Sequence, residues 1–258
     1  MSIRNAYWAL RSTLSLLLVL TFMAVVGYPW LYLWVVPLSA VLPSRRRALI
    51  SGFMKGLCTG IFAGFRLGGA QVRLNGRLPT AETTLAIANH QSLLDIVSIT
   101  LLGEPHVPAF IPRARYARVV PLVSRSIQQL ECPIIDPKRD ARGAVEEIRR
   151  AASKERFGLA IFPEGHRTRD GSIQPFRPAG IQAILETRPM PVYLVVSDGF
   201  WKSRQLVDFL VNVHTIRGRV DVLGPFEPPR DPAELPAAIE GWRQAMIEHL
   251  AKMREGSA

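Results

Sequence analysis

The chain has 258 residues, enough for one sizeable catalytic domain with a membrane-attachment segment and too few for two full domains. Hydrophobic residues make up 48% and the formal net charge is +11, so its partners should be anionic: nucleic acid, acidic lipid headgroups or phosphorylated substrates. The two cysteines, Cys58 and Cys132, lack CxxC spacing and form no disulfide framework, which fits buried thiols in a reducing, cytoplasmic setting.

The N-terminal part carries the excess hydropathy. From Ser12 to Ser44 there is no Asp, Glu, Lys or Arg. Such a run reaches roughly 50 Å as a helix, against a hydrocarbon core of about 30 Å. Pro29 and Pro37 interrupt it, Arg4 and Arg11 precede it, and Arg45, Arg46 and Arg47 follow it. Basic residues at both ends suit a kinked hairpin whose ends return to the cytoplasmic face. A single tilted span and a buried helix pair of a soluble protein are the alternatives. A cleaved signal peptide is disfavoured, because the stretch is too long and lacks a small-residue cleavage site.

Between Arg45 and Arg66 the apolar residues Leu49, Ile50, Phe53, Met54, Leu57, Ile61, Phe62 and Phe65 recur at helical spacing. That pattern predicts a helix lying in the bilayer interface or packed on the catalytic domain. We therefore divide the chain into an anchoring segment, 1–68, and a catalytic domain, 69–258.

Beyond Gly68-Gly69 short β-rich runs alternate with helical stretches. Val72 to Leu74 reads as a strand ending at the Asn75-Gly76 turn, and Leu85 to Ala88 as a compact buried strand. A helix follows from Ser92 to Leu102. Val107 to Ile111 and Pro133 to Ile135 read as strands, with a helix over Pro121 to Gln129 between them. Ala141 to Glu155 is a polar amphipathic helix, Leu159 to Phe162 a strand, Ala179 to Glu186 a helix and Val192 to Val196 a strand. Val211 to Ile216 and Arg219 to Leu223 are expected to form a late strand pair around Gly218. A proline-rich loop from Pro225 to Pro236 leads to a closing helix, Ala237 to Met253. Strands alternating with helices give an α/β layer fold.

Two segments carry chemistry. Asn89-His90-Gln91-Ser92-Leu93-Leu94-Asp95 sits where a strand gives way to a helix. His90 and Asp95 would point about 140° apart on one continuous helix, so they meet only if His90 lies in the preceding loop. Asp95 could then accept the Nδ1–H of His90 and leave Nε2 free as a general base. The pair resembles a serine-hydrolase triad without its serine, so the substrate would supply the hydroxyl. Alternatively, Ser92 and Asp95 form a capping box that merely starts the helix. The second segment, Phe162-Pro163-Glu164-Gly165-His166-Arg167-Thr168, again follows a strand. Glu164 can accept from polyol hydroxyls, Gly165 permits close backbone approach, and Arg167 can grip a phosphate bidentately.

These residues resemble the glycerolipid acyltransferase family that includes the 1-acylglycerol-3-phosphate acyltransferases. Its Asn-His-x4-Asp motif is matched at Asn89, His90 and Asp95, and its Phe-Pro-Glu-Gly-x-Arg motif at Phe162, Pro163, Glu164, Gly165 and Arg167. Between them, Ile111-Pro112-Arg113-Ala114-Arg115 leading to Val120-Pro121 follows the basic-then-proline motif more loosely. Arg115 replaces the usual lysine, Tyr116 a common glutamate, and Ser124 a glycine. Met190-Pro191-Val192 corresponds to the fourth motif, and Phe176 to Gly180 to a basic-glycine stretch.

The resemblance covers about residues 70 to 225. It implies a mixed sheet flanked by helices, with His90 as base and Asp95 as its partner. By the same resemblance Glu164, Gly165 and Arg167 bind the acyl acceptor, and Arg113 and Arg115 its phosphate. The implied reaction moves a fatty-acyl group from acyl-CoA or acyl-carrier protein to the free hydroxyl of 1-acylglycerol-3-phosphate, with no cofactor and no metal. A phosphate-free acceptor such as a lyso-ornithine lipid stays open, as does a non-catalytic lipid-binding protein. A lipase or thioesterase is disfavoured because the chain has no Gly-x-Ser-x-Gly elbow. Nucleic acid is not an expected partner, since the arginines are scattered and lack interleaved stacking aromatics; membrane lipids are.

Overall fold

The computed structural model describes residues 3–114, 121–154 and 156–255. Helix α1 (Ile3–Phe22) runs through two π-helical turns, Met23–Gly27 and Trp30–Val35, into α2 (Val36–Val41). The wide turns flank Pro29, whose missing N–H and bulky ring an ordinary α-turn would not accommodate. The uncharged run therefore does not fold back at Pro29 or Pro37. It reverses at Leu42 and the 3₁₀ turn Pro43–Arg45, from which α3 (Arg46–Leu67) returns antiparallel.

The hairpin thus pairs the uncharged run with the amphipathic stretch rather than with itself. Arg4 and Arg45 end up at opposite ends of the first limb. Gly56 and Gly64 of α3 let the limbs touch: a Cβ on either would come within 2.5 Å of the Trp30 or Val19 side chain. Both limbs, Ile3–Val41 and Pro43–Leu67, are long and apolar enough to cross a membrane.

Helix α3 also packs on the rest of the molecule along its length. Arg47 donates to the Val107 carbonyl at 2.8 Å, and Ser51 Oγ accepts from the Val107 N–H at 3.0 Å. Lys55 donates to the Pro105 carbonyl at 3.2 Å, and Phe65 stacks on Phe209 with ring centroids 5.0 Å apart.

The strands are β1 (Gln71–Asn75), β2 (Leu78–Pro79), β3 (Leu85–Ala88), β4 (Gly103–Glu104), β5 (Ala109–Phe110), β6 (Leu159–Ile161), β7 (Val192–Asp198) and β8 (Arg217–Phe226). Among the described residues six of them form one sheet in the order β1-β8-β7-β3-β6-β5, while β2 and β4 pair separately. Every pairing in the large sheet is parallel except β7 with β8, so the sheet is mixed. Strands β3 and β6 are wholly buried, as apolar strands covered on both faces should be. The helices around them are α4 (Leu94–Leu102), α5 (Pro121–Gln129), α6 (Ala141–Lys154), α7 (Ala179–Thr187), α8 (Phe209–Asn212) and α9 (Leu235–Glu255).

Two expected strands are absent among the described residues. Val211 to Ile216 is helical, spanning the end of α8 and the 3₁₀ turn Val213–Thr215. Its buried side chains, Val213 and Ile216, follow Phe209 at helical intervals of four and three, a period that the local richness in β-branched residues obscures. Gly218 is consequently not a turn but a position inside one long strand, β8, where its bare Cα lies against the Phe200 ring. Pro133 to Ile135 forms only an isolated bridge between Ile135 and Arg113. Pro133 has no N–H to extend the ladder.

Candidate active site

Strands β3 and β6 are parallel neighbours, so both motif loops leave the same edge of the sheet, the usual place for a site in a layered α/β fold. The first loop is anchored at once. Asn89, fully buried, donates Nδ2–H to the Ser197 carbonyl at 2.9 Å and accepts the Ser197 N–H on Oδ1 at 2.7 Å. In this way a side chain continues the hydrogen bonding of β3 to β7 past the last paired residue.

His90 follows in the loop, and Asp95 lies in the first turn of α4. Nδ1 of His90 stands 2.9 Å from Asp95 Oδ2. The backbone N–H groups of Gln91 and Ser92 donate to that same oxygen at 2.6 and 2.7 Å. One carboxylate oxygen, Asp95 Oδ2, therefore gathers the two amides ahead of α4 and the imidazole of His90. Oδ2 already accepts from two amides, so in this pair Nδ1 is the donor, and Nε2 is the ring nitrogen that Asp95 does not engage. The Phe162 ring stacks on the imidazole at 4.2 Å, and the His90 side chain keeps 14% exposure, enough to reach a substrate.

The second loop grips the first. Glu164, 1% exposed, accepts the His90 N–H on Oε1 at 2.8 Å and the Gln174 N–H on Oε2 at 3.0 Å. Thr168 donates its N–H to the His90 carbonyl at 2.8 Å. The expected contact of Glu164 with polyol hydroxyls thus meets a different setting, in which both oxygens hold backbone amides and almost no surface faces outward.

Burial pushes the Glu164 carboxyl up to about 7, against the lowering effect of the two amide donors. A carboxyl raised by folding binds its proton more tightly in the folded than in the unfolded chain. The stability it lends is present below the ordinary carboxylate range and is lost as pH rises toward 7. Thermal unfolding between about pH 5 and about pH 8 is expected to show wild-type protein losing stability, with Glu164→Gln giving a flatter curve. Parallel curves for the two proteins would remove Glu164 as the source.

Gly165 adopts φ +72°, which glycine tolerates, and a Cβ there would lie 3.4 Å from the guanidinium groups of both Arg113 and Arg177. Arg113 donates to the Gly165 carbonyl, and lines a cavity of about 150 Å³ with Ala114, Asp136, Pro137 and Lys138. Arg167 turns its guanidinium to the Arg204 carbonyl, 2.8 Å away, and so ties the second loop to the turn Trp201–Ser203. Arg115, Tyr116 and Val120 lie outside the described residues. Arg177 had no assigned role in the sequence, although the basic-glycine stretch contained it. Only folding brings it beside Gly165.

Residues 70–197 match the family model described as Acyltransferase. The chloroplastic 1-acyl-sn-glycerol-3-phosphate acyltransferase BAT2 of Brassica napus is 31% identical over 104 residues, 39% of this chain and 29% of that protein. The 1-acyl-sn-glycerol-3-phosphate acyltransferase of Cocos nucifera is 26% identical over 67% of this chain and 56% of its own length. The chain therefore spans little more than half, at most, of these two curated relatives. The crystal structure of the 1-acyl-sn-glycerophosphate acyltransferase PlsC from Thermotoga maritima superposes with a TM-score of 0.64 at 21% identity, covering 96% of this chain and 97% of that one. At that identity the likeness is one of fold.

Proposed function

The chain belongs to the glycerolipid acyltransferase family through residues 70–197, and from that premise we propose that it acylates the free hydroxyl of 1-acylglycerol-3-phosphate to give phosphatidate. One observation carries the reading: an imidazole whose Nδ1 is held by a buried carboxylate at 2.9 Å and whose other nitrogen is left to a substrate. Nε2 of His90 takes the proton of the acceptor hydroxyl as its oxygen attacks the thioester carbonyl of acyl-CoA or acyl-carrier protein. The tetrahedral intermediate collapses with loss of the thiolate, which recovers that proton from the imidazolium. No acyl-enzyme forms.

Glu164 serves here by positioning the His90 backbone. Arg113 and Arg177, both beside Gly165, provide the positive charge for the acceptor phosphate. Mass spectrometry after incubation with palmitoyl-CoA and lysophosphatidate should detect phosphatidate. Product from lyso-ornithine lipid alone would replace the phosphate reading with a phosphate-free one.

We also propose that the hairpin lies on the bilayer rather than through it. Contacts of α3 with the catalytic domain from Arg47 to Phe65 support this, because a helix flanked along its length by a charged domain has no room in hydrocarbon. The first limb exposes Leu10, Leu14, Leu17, Leu33 and Trp34, and the segment around α8 exposes Leu206, Val207 and Leu210. Flotation with anionic liposomes should carry wild-type protein upward and leave Leu14→Glu/Leu17→Glu behind. A variant that floats equally well would contradict the surface-bound arrangement.

A further inference from the structure

Gln91 sits between the base and Ser92, and its amide is fully buried. Its Oε1 accepts the Phe200 N–H at 3.0 Å, and its Nε2 donates to Asp198 Oδ1 at 3.2 Å and to the Gly171 carbonyl at 3.3 Å. Both of those acceptors are also held by a single side chain from the far end of the sequence. Arg254, in the last turn of α9, donates Nε–H to Asp198 Oδ2 at 2.9 Å. Its Nη2 donates to Asp198 Oδ1 and to the Gly171 carbonyl, each at 2.8 Å. Gly171 belongs to the second loop, three residues past Thr168, whose N–H holds the His90 carbonyl. One guanidinium thus reaches the His90 loop through Asp198 and Gln91, and the Glu164 loop through Gly171.

Helix docking alone does not explain this arrangement. Leu235, Ile239, Trp242, Met246, Leu250 and Met253 already bury one face of α9. An ion pair whose arginine side chain is 43% exposed adds little to stability. Yet its planar fork sets two acceptors in fixed register, which a lysine cannot do. Asp198 and Arg254 both lie beyond the residues matched by the family model, so no motif points to them.

We propose that Arg254 is a positioning residue for acyl transfer: by holding Asp198 and the Gly171 carbonyl it fixes Gln91, and so sets the His90 loop against the Glu164 loop. The inference rests on His90 being the base. It is tested with the full chain in detergent micelles, using palmitoyl-CoA and lysophosphatidate, with His90→Ala assayed alongside. Arg254→Ala should lower kcat about tenfold, as a small misplacement of a reacting group does, and leave both KM values within about twofold. Arg254→Lys, which keeps a charge but not the fork, should fall between Arg254→Ala and wild type.

A purely structural role would instead lower the melting temperature and leave kcat alone. In a double-variant cycle, Gln91→Ala combined with Arg254→Ala should lose less than the product of the two single losses. Losses that multiply would overturn the proposal. So would wild-type kcat in Arg254→Ala beside an inactive His90→Ala. Should Gln91→Ala fail to fold, the kcat-against-KM split and the intermediate rate of Arg254→Lys decide the matter. An active His90→Ala would instead strike the base assignment itself.

Discussion

His90→Ala is expected to lower acyl transfer by roughly 10³-fold, within the 10²–10⁴-fold range that general-base catalysis supplies. The substitution deletes the group that takes the hydroxyl proton and does little else. The His90 side chain hydrogen-bonds to Asp95 and stacks on Phe162, and the backbone bonds to Glu164 and Thr168 stay in place. Melting temperature and liposome flotation should therefore match wild type. The check is the initial rate of phosphatidate formation from purified protein, since folding and membrane attachment are controlled separately. Turnover at the wild-type rate would leave the site without a base and the mechanism without its first step.

How far the sequence spoke varied with the range of the interaction. The His90–Asp95 contact was legible because it is local. A five-residue interval across a strand-to-helix junction has few geometries, and burial of β3 fixes where the loop begins. The central strands and the helices around them were legible for a similar reason, as their apolar periods match their elements. Val211 to Ile216 failed because β-branched residues dominated the run while the buried positions followed a helical interval.

What lay wholly outside sequence reasoning was long-range. Glu164 offered an acid in a turn, and nothing in its neighbours said that both oxygens would hold backbone amides of His90 and Gln174. Arg177 comes beside Gly165 only when the chain after the second loop folds back, with the Arg177 N–H bound to the Pro163 carbonyl at 2.9 Å. The chain stayed helical past Pro29 and turned at Leu42 because π turns absorb a proline that helix propensity alone treats as a break. In each case a residue's surroundings, not its type, decided its task.

Asp95 admits a sharper separation of roles than His90 does. Three donors meet on Oδ2, namely the imidazole Nδ1–H and the Gln91 and Ser92 amides, whereas Oδ1 is buried with no hydrogen-bond partner among the described residues. In Asp95→Asn the amide oxygen can take the place of Oδ2, because an NH₂ facing three donors would be repelled. The tautomer of His90 then survives, and what disappears is the negative charge that stabilises the imidazolium formed during transfer.

Replacing a charge-assisted hydrogen bond by a neutral one costs about 1–1.5 kcal/mol, or roughly a 5–15-fold lower kcat. Asp95→Ala removes the acceptor as well, leaving two buried amides unpaired at about 1–3 kcal/mol each and the imidazole free to turn. Its rate should fall well below that of Asp95→Asn, approaching His90→Ala, and its melting temperature should drop where that of Asp95→Asn changes less. The order of rates, wild type above Asp95→Asn above Asp95→Ala, measured with the corresponding melting curves, separates charge from scaffold. Equal rates for the two variants would mean that Asp95 acts through its charge alone and that the three-donor anchor contributes nothing to catalysis.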